Sequence, residues 1–196
     1  MTTPTFYGDE IPLESHIIEL RIRKLRQLFD SLDPSPFIAL DLDDDAQQYI
    51  VGSAKVLSTH LPLALAIHLR EPVESPEEAR DAGEAIREHF TRQSGFTSLR
   101  LKELLHDGWI SLVIGLAFLS VALAASAALL KWAADSTAID VFREGLIICG
   151  WVAMWRPIQI FLYDWWPILG DRRLFDRLSR MPVQIVSPPT ASPASS

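Results

Sequence analysis

The chain has 196 residues, 48% apolar and 22% charged, with a formal charge of −7 and a mean hydropathy of +0.15. That composition excludes a disordered or fibrous protein, and one cysteine, Cys149, excludes an internal disulfide, a CxxC redox pair and a thiolate zinc cage. The acidic excess and all five histidines precede residue 108, so no clustered basic surface is offered to nucleic acid.

The first half reads as a small α/β unit. His16–Arg23 alternates, with Ile18, Leu20 and Ile22 on one face, and predicts a strand followed by a helical turn around Leu25, Leu28 and Phe29. Asp33-Pro34-Ser35-Pro36 breaks the chain. Asp43–Leu57 predicts a helix, because Ala46, Tyr49, Ile50, Ala54 and Leu57 share one stripe. Leu63–Arg70 predicts a second strand, with Leu63, Leu65, Ile67 and Leu69 alternating. These elements form a β-α-β module over residues 1–75.

Ser75-Pro76-Glu77-Glu78 is a helix start signal: Ser caps free amides, Pro fits the first turn and Glu closes a capping box. The helix that follows, residues 76–108, carries a core-facing stripe of Ala79, Ala82, Ala85, Ile86, His89 and Phe90. Its register runs past Gly95 through Leu99, Leu101, Leu104 and Leu105.

Trp109–Leu130 then holds no charge for 22 residues, enough helix to cross a hydrocarbon core of roughly 30 Å. Residues 109–130 are read as transmembrane helix 1, residues 131–144 as a periplasmic connector and residues 145–166 as transmembrane helix 2. The second span has Arg156-Pro157 at its middle and Asp164 near its end. It reads as one crossing kinked at Pro157, since Gly145–Trp155 alone is too short. Arg92, Arg100 and Lys102 precede the first span and Arg172, Arg173, Arg177 and Arg180 follow the second, against only Lys131 and Arg143 between them, which predicts both termini in the cytoplasm. Trp109, Trp132, Tyr163, Trp165 and Trp166 suit the interfaces, whereas Trp155 is expected to face protein. Two small-residue rows, Ser120, Ala124 and Ala128 against Gly145, Cys149 and Ala153, are the expected packing faces.

Residues 167–186 form a juxtamembrane segment. Within it Asp171–Arg180 is amphipathic, with Leu174, Phe175 and Leu178 on one side, and is expected on the inner leaflet with Arg172, Arg173, Arg177 and Arg180 at lipid headgroups. Pro182–Val186 is a candidate third strand, because a two-stranded sheet is marginal; self-association through the open edge is the alternative. Residues 187–196, rich in Ser, Pro and Ala, predict a disordered tail.

Chemical candidates are few. Asp41, Asp43 and Asp45 imitate a calcium loop, but Ala46 and Gly52 stand where the turn glycine and bidentate glutamate belong, so the acids are read as helix N-terminal residues. His16, His60, His68, His89 and His106 lack metal spacing and are read as surface or half-buried. No nucleophile accompanies Glu84, Glu88 and His89, and the Cys149 thiol stays protonated in an apolar span. No cofactor and no enzymatic activity are expected. The intramembrane polar residues are Arg156, Gln159 and Asp164, and a charge at that depth costs roughly 2.5 to 3.5 kcal/mol without a partner. Arg156 and Asp164 lie about 80° apart on an ideal helix, so pairing requires the Pro157 kink or a second subunit.

The stretches LDPSPFIALDLDDDAQQYIVGSA and EGLIICGWVAMWRPIQIFLYDWWPILGDRR resemble segments shared by a group of uncharacterised bacterial inner-membrane proteins with an acidic cytoplasmic domain and two spans. The resemblance covers about residues 17–186 and is most distinctive in the Trp-Arg-Pro and Tyr-Asp-Trp-Trp-Pro strings. It implies residence in the bacterial inner membrane and carries over no activity or ligand.

The expectation is therefore an α/β membrane protein, a two-helix transmembrane hairpin joined by a long helix to a small cytoplasmic β-α-β domain. Its role is that of an interaction or assembly component, partnered by the lipid bilayer and by copies of itself or another membrane protein, not by nucleic acid. The alternative is a subunit of an oligomeric channel or transporter using Arg156 and Asp164.

Overall fold

The computed structural model describes residues 4–29, 41–57, 61–132 and 137–189, the side chains of 130–132 and 137–138 excepted. The Asp33–Pro36 break, His60 and the tail beyond residue 189 lie outside the described residues. The chain forms two compact units, Met1–Gly95 with Asp171–Ser196, and Phe96–Gly170.

The first unit is built on a four-stranded sheet of β1 (Thr5–Gly8), β2 (His16–Ile22), β3 (Leu63–Leu69) and β4 (Val183–Ser187), in the order β1-β4-β3-β2. β2, β3 and β4 are parallel, and β1 is antiparallel to β4. Leu63 to Ile67 are all buried, the unbroken apolar run expected of an inner parallel strand. β4 is the candidate returning strand, shifted by one residue at each end from the Pro182–Val186 reading, and it runs between β3 and β1. Ser187 therefore belongs to a strand rather than to a tail: it is 2% exposed, and its hydroxyl accepts the Val73 N–H at 3.1 Å. β1 was not legible as a strand; it is four residues long and exposed except at Tyr7.

Around this sheet lie a 3₁₀ turn at Leu25–Leu28, helix α1 (Asp44–Val56), the start of α2 (Pro76–Trp132) and the end of α5 (Trp165–Ser179). The Asp43 carboxylate caps α1 by accepting from the Asp45 and Ala46 amides, so the acidic run is a helix start. Ser75 accepts from the Glu78 amide at 3.1 Å and Glu78 accepts from the Glu74 amide at 3.1 Å, which fixes the first turn of α2. Ile18, Leu65, Ile67, Val183 and Ile185 from the sheet meet Ile50 and Ala54 of α1, Ala82, Ile86 and Phe90 of α2, and Leu174 and Leu178 of α5 in one core.

That core corrects two expectations. The module does not close at residue 75, because α2 through Phe90 and the α5–β4 segment supply much of its interior. The apolar side of Asp171–Arg180 is not laid on a leaflet: Leu174 is 8% and Leu178 0% exposed, and Phe175 stacks on Phe90 at 6.4 Å between ring centroids. An apolar face already covered by protein has no surface left to bury in lipid.

In the second unit, α2 continues without interruption past Gly95 and through the first apolar run. It is followed by α3 (Thr137–Ala153), a break at Met154, the short α4 (Trp155–Gln159), a π-helical turn at Ile160–Asp164, and α5. Two helices, Pro76–Leu129 and Ile139–Ser179, are long and apolar enough to cross a membrane. The second is helical from Thr137, eight residues before the predicted span, and bends at Met154 and again through the π turn.

Candidate functional site

Pro157 has no N–H to give to the carbonyl of Ala153, and at this point the helix breaks. The Met154 amide bonds back to Trp151 O at 3.1 Å, a tightened turn, before Ile158 N resumes on Met154 O at 3.3 Å. The Ala153 carbonyl lies against Gly115 of α2, where a Cβ would stand 3.0 Å from its oxygen and 3.1 Å from the Met154 sulfur. Gly150 makes a similar notch, with Leu119 within 2.7 Å of a hypothetical Cβ.

Of the predicted small-residue rows, Ala153 lies half-buried in the packed face and the others do not. Ser120, Ala124 and Ala128 are exposed, as are Gly145 and Cys149. On α2 the covered positions are Gly108, Gly115, Ala122 and Ser126, with Leu119 half-covered, a spacing of alternating threes, fours and sevens that keeps one seam facing a neighbouring helix. Trp155, expected against protein, is 70% exposed, since the break at Met154 turns its side of the helix outward.

Beyond the break, the Arg156 guanidinium donates to the Asp164 carboxylate at 3.1 Å. An α-helix would leave them on different faces; the wider π turn between Ile160 and Asp164 rotates less per residue and brings the acid back over the base. Both the kink and the pairing arise within one chain. Gln159 is half-buried on α4 and stands outside the pair. Asp164 also lines an open groove of about 540 Å³ with Arg100, Glu103, Asp107 and Tyr163. Trp109 meets Phe161 edge-on at 5.7 Å, with Gly108 leaving room for Ile160 beside them.

The three arginines of α5, with Arg180 just past its end, divide into two kinds. Arg177 donates to the Leu61 carbonyl at 2.9 Å and Arg180 pairs with Asp176 at 2.8 Å, while Arg172 and Arg173 are exposed.

Sequence reasoning missed a buried polar cluster in the first unit. His89, in the stripe read as core-facing yet grouped with the surface or half-buried histidines, is 4% exposed. Its Nε2 lies 2.6 Å from Gln47 Oε1, the Leu42 amide points at Nδ1 from 3.4 Å, and Asp41 Oδ1 is 3.3 Å from the same nitrogen. The Leu42 donor and the Gln47 acceptor assign the neutral Nε2–H tautomer. Burial pushes the His89 pKa below its ordinary 6.5, outweighing the pull of Asp41 toward the charged form. At Asp41 burial acts to raise the pKa, but the hydrogen bond from Arg92 at 2.6 Å and the positive charge behind it prevail, beside the His89 ring, and hold the carboxyl below 3.8. The available signal was a histidine inside an alanine stripe, a position an unpartnered polar ring would not tolerate. No group of metal-binding side chains occurs among the described residues.

No protein-family model matches the chain, and no curated protein or solved structure is significantly similar to it.

Proposed function

We propose that the chain is a non-enzymatic, two-span protein of the bacterial inner membrane with both termini in the cytoplasm, acting as an interaction or assembly component that associates with copies of itself or with another membrane protein. The observation that carries this reading is the outward face of the second unit. Trp109, Val113, Ile114, Val121, Trp151 and Val152 are each more than 60% exposed, and only 17% of each apolar stretch is buried. A core helix of a water-soluble protein would bury most of such a stretch, whereas acyl chains accept it.

Placement of both termini on one side is supported by the pairing of β1, which precedes the apolar helices, with β4, which follows them. The cytoplasmic side is favoured by the flanking Lys and Arg and by the exposed Arg172 and Arg173. The mutual neutralisation of Arg156 and Asp164 favours a structural role for the pair. The non-enzymatic part rests on a sequence with no nucleophile beside a base and no Gly-rich phosphate loop.

A second reading, a channel or transporter subunit, is favoured by the groove in which Asp164 lies near Arg100, Glu103 and Asp107. The experiment is extraction and reconstitution of the full chain. The protein should stay in the membrane pellet at alkaline pH and enter solution only with detergent; a cysteine at Asp135, in a Cys149→Ser background, should react with an impermeant reagent from outside. Recovery in the aqueous fraction would overturn the membrane assignment. Ion flux through vesicles that Arg156→Leu alters without changing assembly would overturn the scaffold reading in favour of the transporter.

A further inference from the structure

Among the described residues β2 is an edge strand, paired with β3 alone. The His16 amide bonds to Pro62 O at 2.9 Å and Ile22 O receives the Arg70 amide at 3.1 Å, so the even-numbered residues of β2 direct their backbone groups to β3. Ile17, Glu19 and Arg21 therefore present theirs to the open side. On that side, among the described residues, the Tyr49 hydroxyl donates to Glu19 O at 3.1 Å and leaves that oxygen a second lone pair. The same three residues expose their side chains on one face of the sheet, with Glu19 and Arg21 3.6 Å apart along the strand. On the opposite face Leu20 and Ile22 touch the core but remain half-buried because the sheet ends at them.

We infer that this edge is the surface through which two copies of the chain pair, β2 against β2, antiparallel about a two-fold axis at Leu20, to make one eight-stranded sheet. The inference deepens the assembly reading above and rests on it. An antiparallel pair exchanges hydrogen bonds between residues whose groups face outward, so odd positions must oppose odd positions, which leaves registers two residues apart. Centred on Leu20, Glu19 opposes Arg21 of the second copy and Arg21 opposes its Glu19, two opposite-charge pairs related by symmetry. On the core face Leu20 then meets Leu20, and Ile18 meets Ile22. Sliding the register one step in one direction sets Glu19 against Glu19, and in the other sets Arg21 against Arg21 and Glu19 against Arg23, a guanidinium already engaged by Glu71 at 2.6 Å. Like charges directly opposed are unfavourable. Charge complementarity thus selects a second copy as the occupant and fixes how it sits.

The experiment is native mass measurement of the full chain in detergent, with circular dichroism to show that each variant folds. The wild type is expected as a dimer. Glu19→Arg and Arg21→Glu should each weaken the dimer at least tenfold, and the double exchange E19R/R21E should restore it. In a Cys149→Ser background, copies carrying Glu19→Cys mixed with copies carrying Arg21→Cys should be joined by a direct disulfide cross-link on mild oxidation, and neither alone should be, because like positions are diagonal and too far apart. A monomeric wild type overturns the inference. So does a dimer indifferent to both single reversals, an outcome that moves self-association elsewhere and leaves the assembly reading standing. Should a reversal unfold the chain, the mixed cross-link decides alone: its absence overturns the proposal.

Discussion

Gly115 lies against the carbonyl of Ala153, the group that Pro157 four residues later leaves without its helical donor. The helices approach closely here because Gly115 carries no side chain and Pro157 sends no amide to that carbonyl, and the notch also takes the Met154 sulfur. Gly115→Val should therefore destabilise the second unit by about 1 to 3 kcal/mol through overpacking. Gly145→Ala, with open space around it, should be neutral or stabilising by up to about 1 kcal/mol from helix propensity. Thermal unfolding of the two variants in the same detergent makes the comparison.

The Arg156–Asp164 pair gives a second expectation. Removing one partner leaves the other charge unopposed, so Arg156→Leu and Asp164→Leu should each lower the folded yield in membranes more than the double substitution does. Interacting pairs couple by about 0.5 to 3 kcal/mol in a double-mutant cycle. Strict additivity of the two single effects, measured by unfolding in bilayers or bicelles, would show that the π turn brings them together to no energetic effect.

His89 makes the first unit sensitive to acid. Its pKa is depressed in the folded chain, so the unfolded chain takes up a proton first as pH falls below about 6.5. Stability from this site is complete above that value and declines below it. Asp41, also depressed, adds stability that is present above 3.8 and is lost as pH falls further. Melting temperatures at pH 7.5 and 5.5 should differ in the wild type, and the difference should shrink in His89→Asn.

The last strand is testable by truncation of single side chains. Ile185 is fully buried beside Ile67, and Ile185→Ala should cost about 2 to 5 kcal/mol. Ser187→Ala leaves the Val73 amide without its acceptor and should cost about 1 to 3 kcal/mol. Both are read by chemical denaturation followed by hydrogen exchange at β3.

Much of this architecture is legible in the residues because it is local. The strands His16–Ile22 and Leu63–Leu69 follow from alternation, α1 from its stripe and the Asp43 cap, and the start of α2 from Ser75 and Glu78. What escaped depends on partners distant in sequence. Thr5–Gly8 has too few residues to show a period and is a strand because β4 lies beside it. Leu174, Phe175 and Leu178 form a stripe that fits a lipid surface or a protein core equally well, and only the presence of Phe90 and the sheet decides between them. His89 looked like any surface histidine until Asp41 and Gln47, more than 40 positions away, were brought to it. The pairing of Arg156 with Asp164 hinged on a π turn that helical periodicity does not announce.

The position of β4 has a consequence for biogenesis. During synthesis β1, β2 and β3 emerge first, but the strand that must lie between β1 and β3 follows both greasy helices. The nascent chain thus presents a sheet with its middle missing until β4 has been made. Closure of the acidic domain therefore waits for both apolar helices, and a chain stopped before residue 183 would leave the facing edges of β1 and β3 without the strand that joins them.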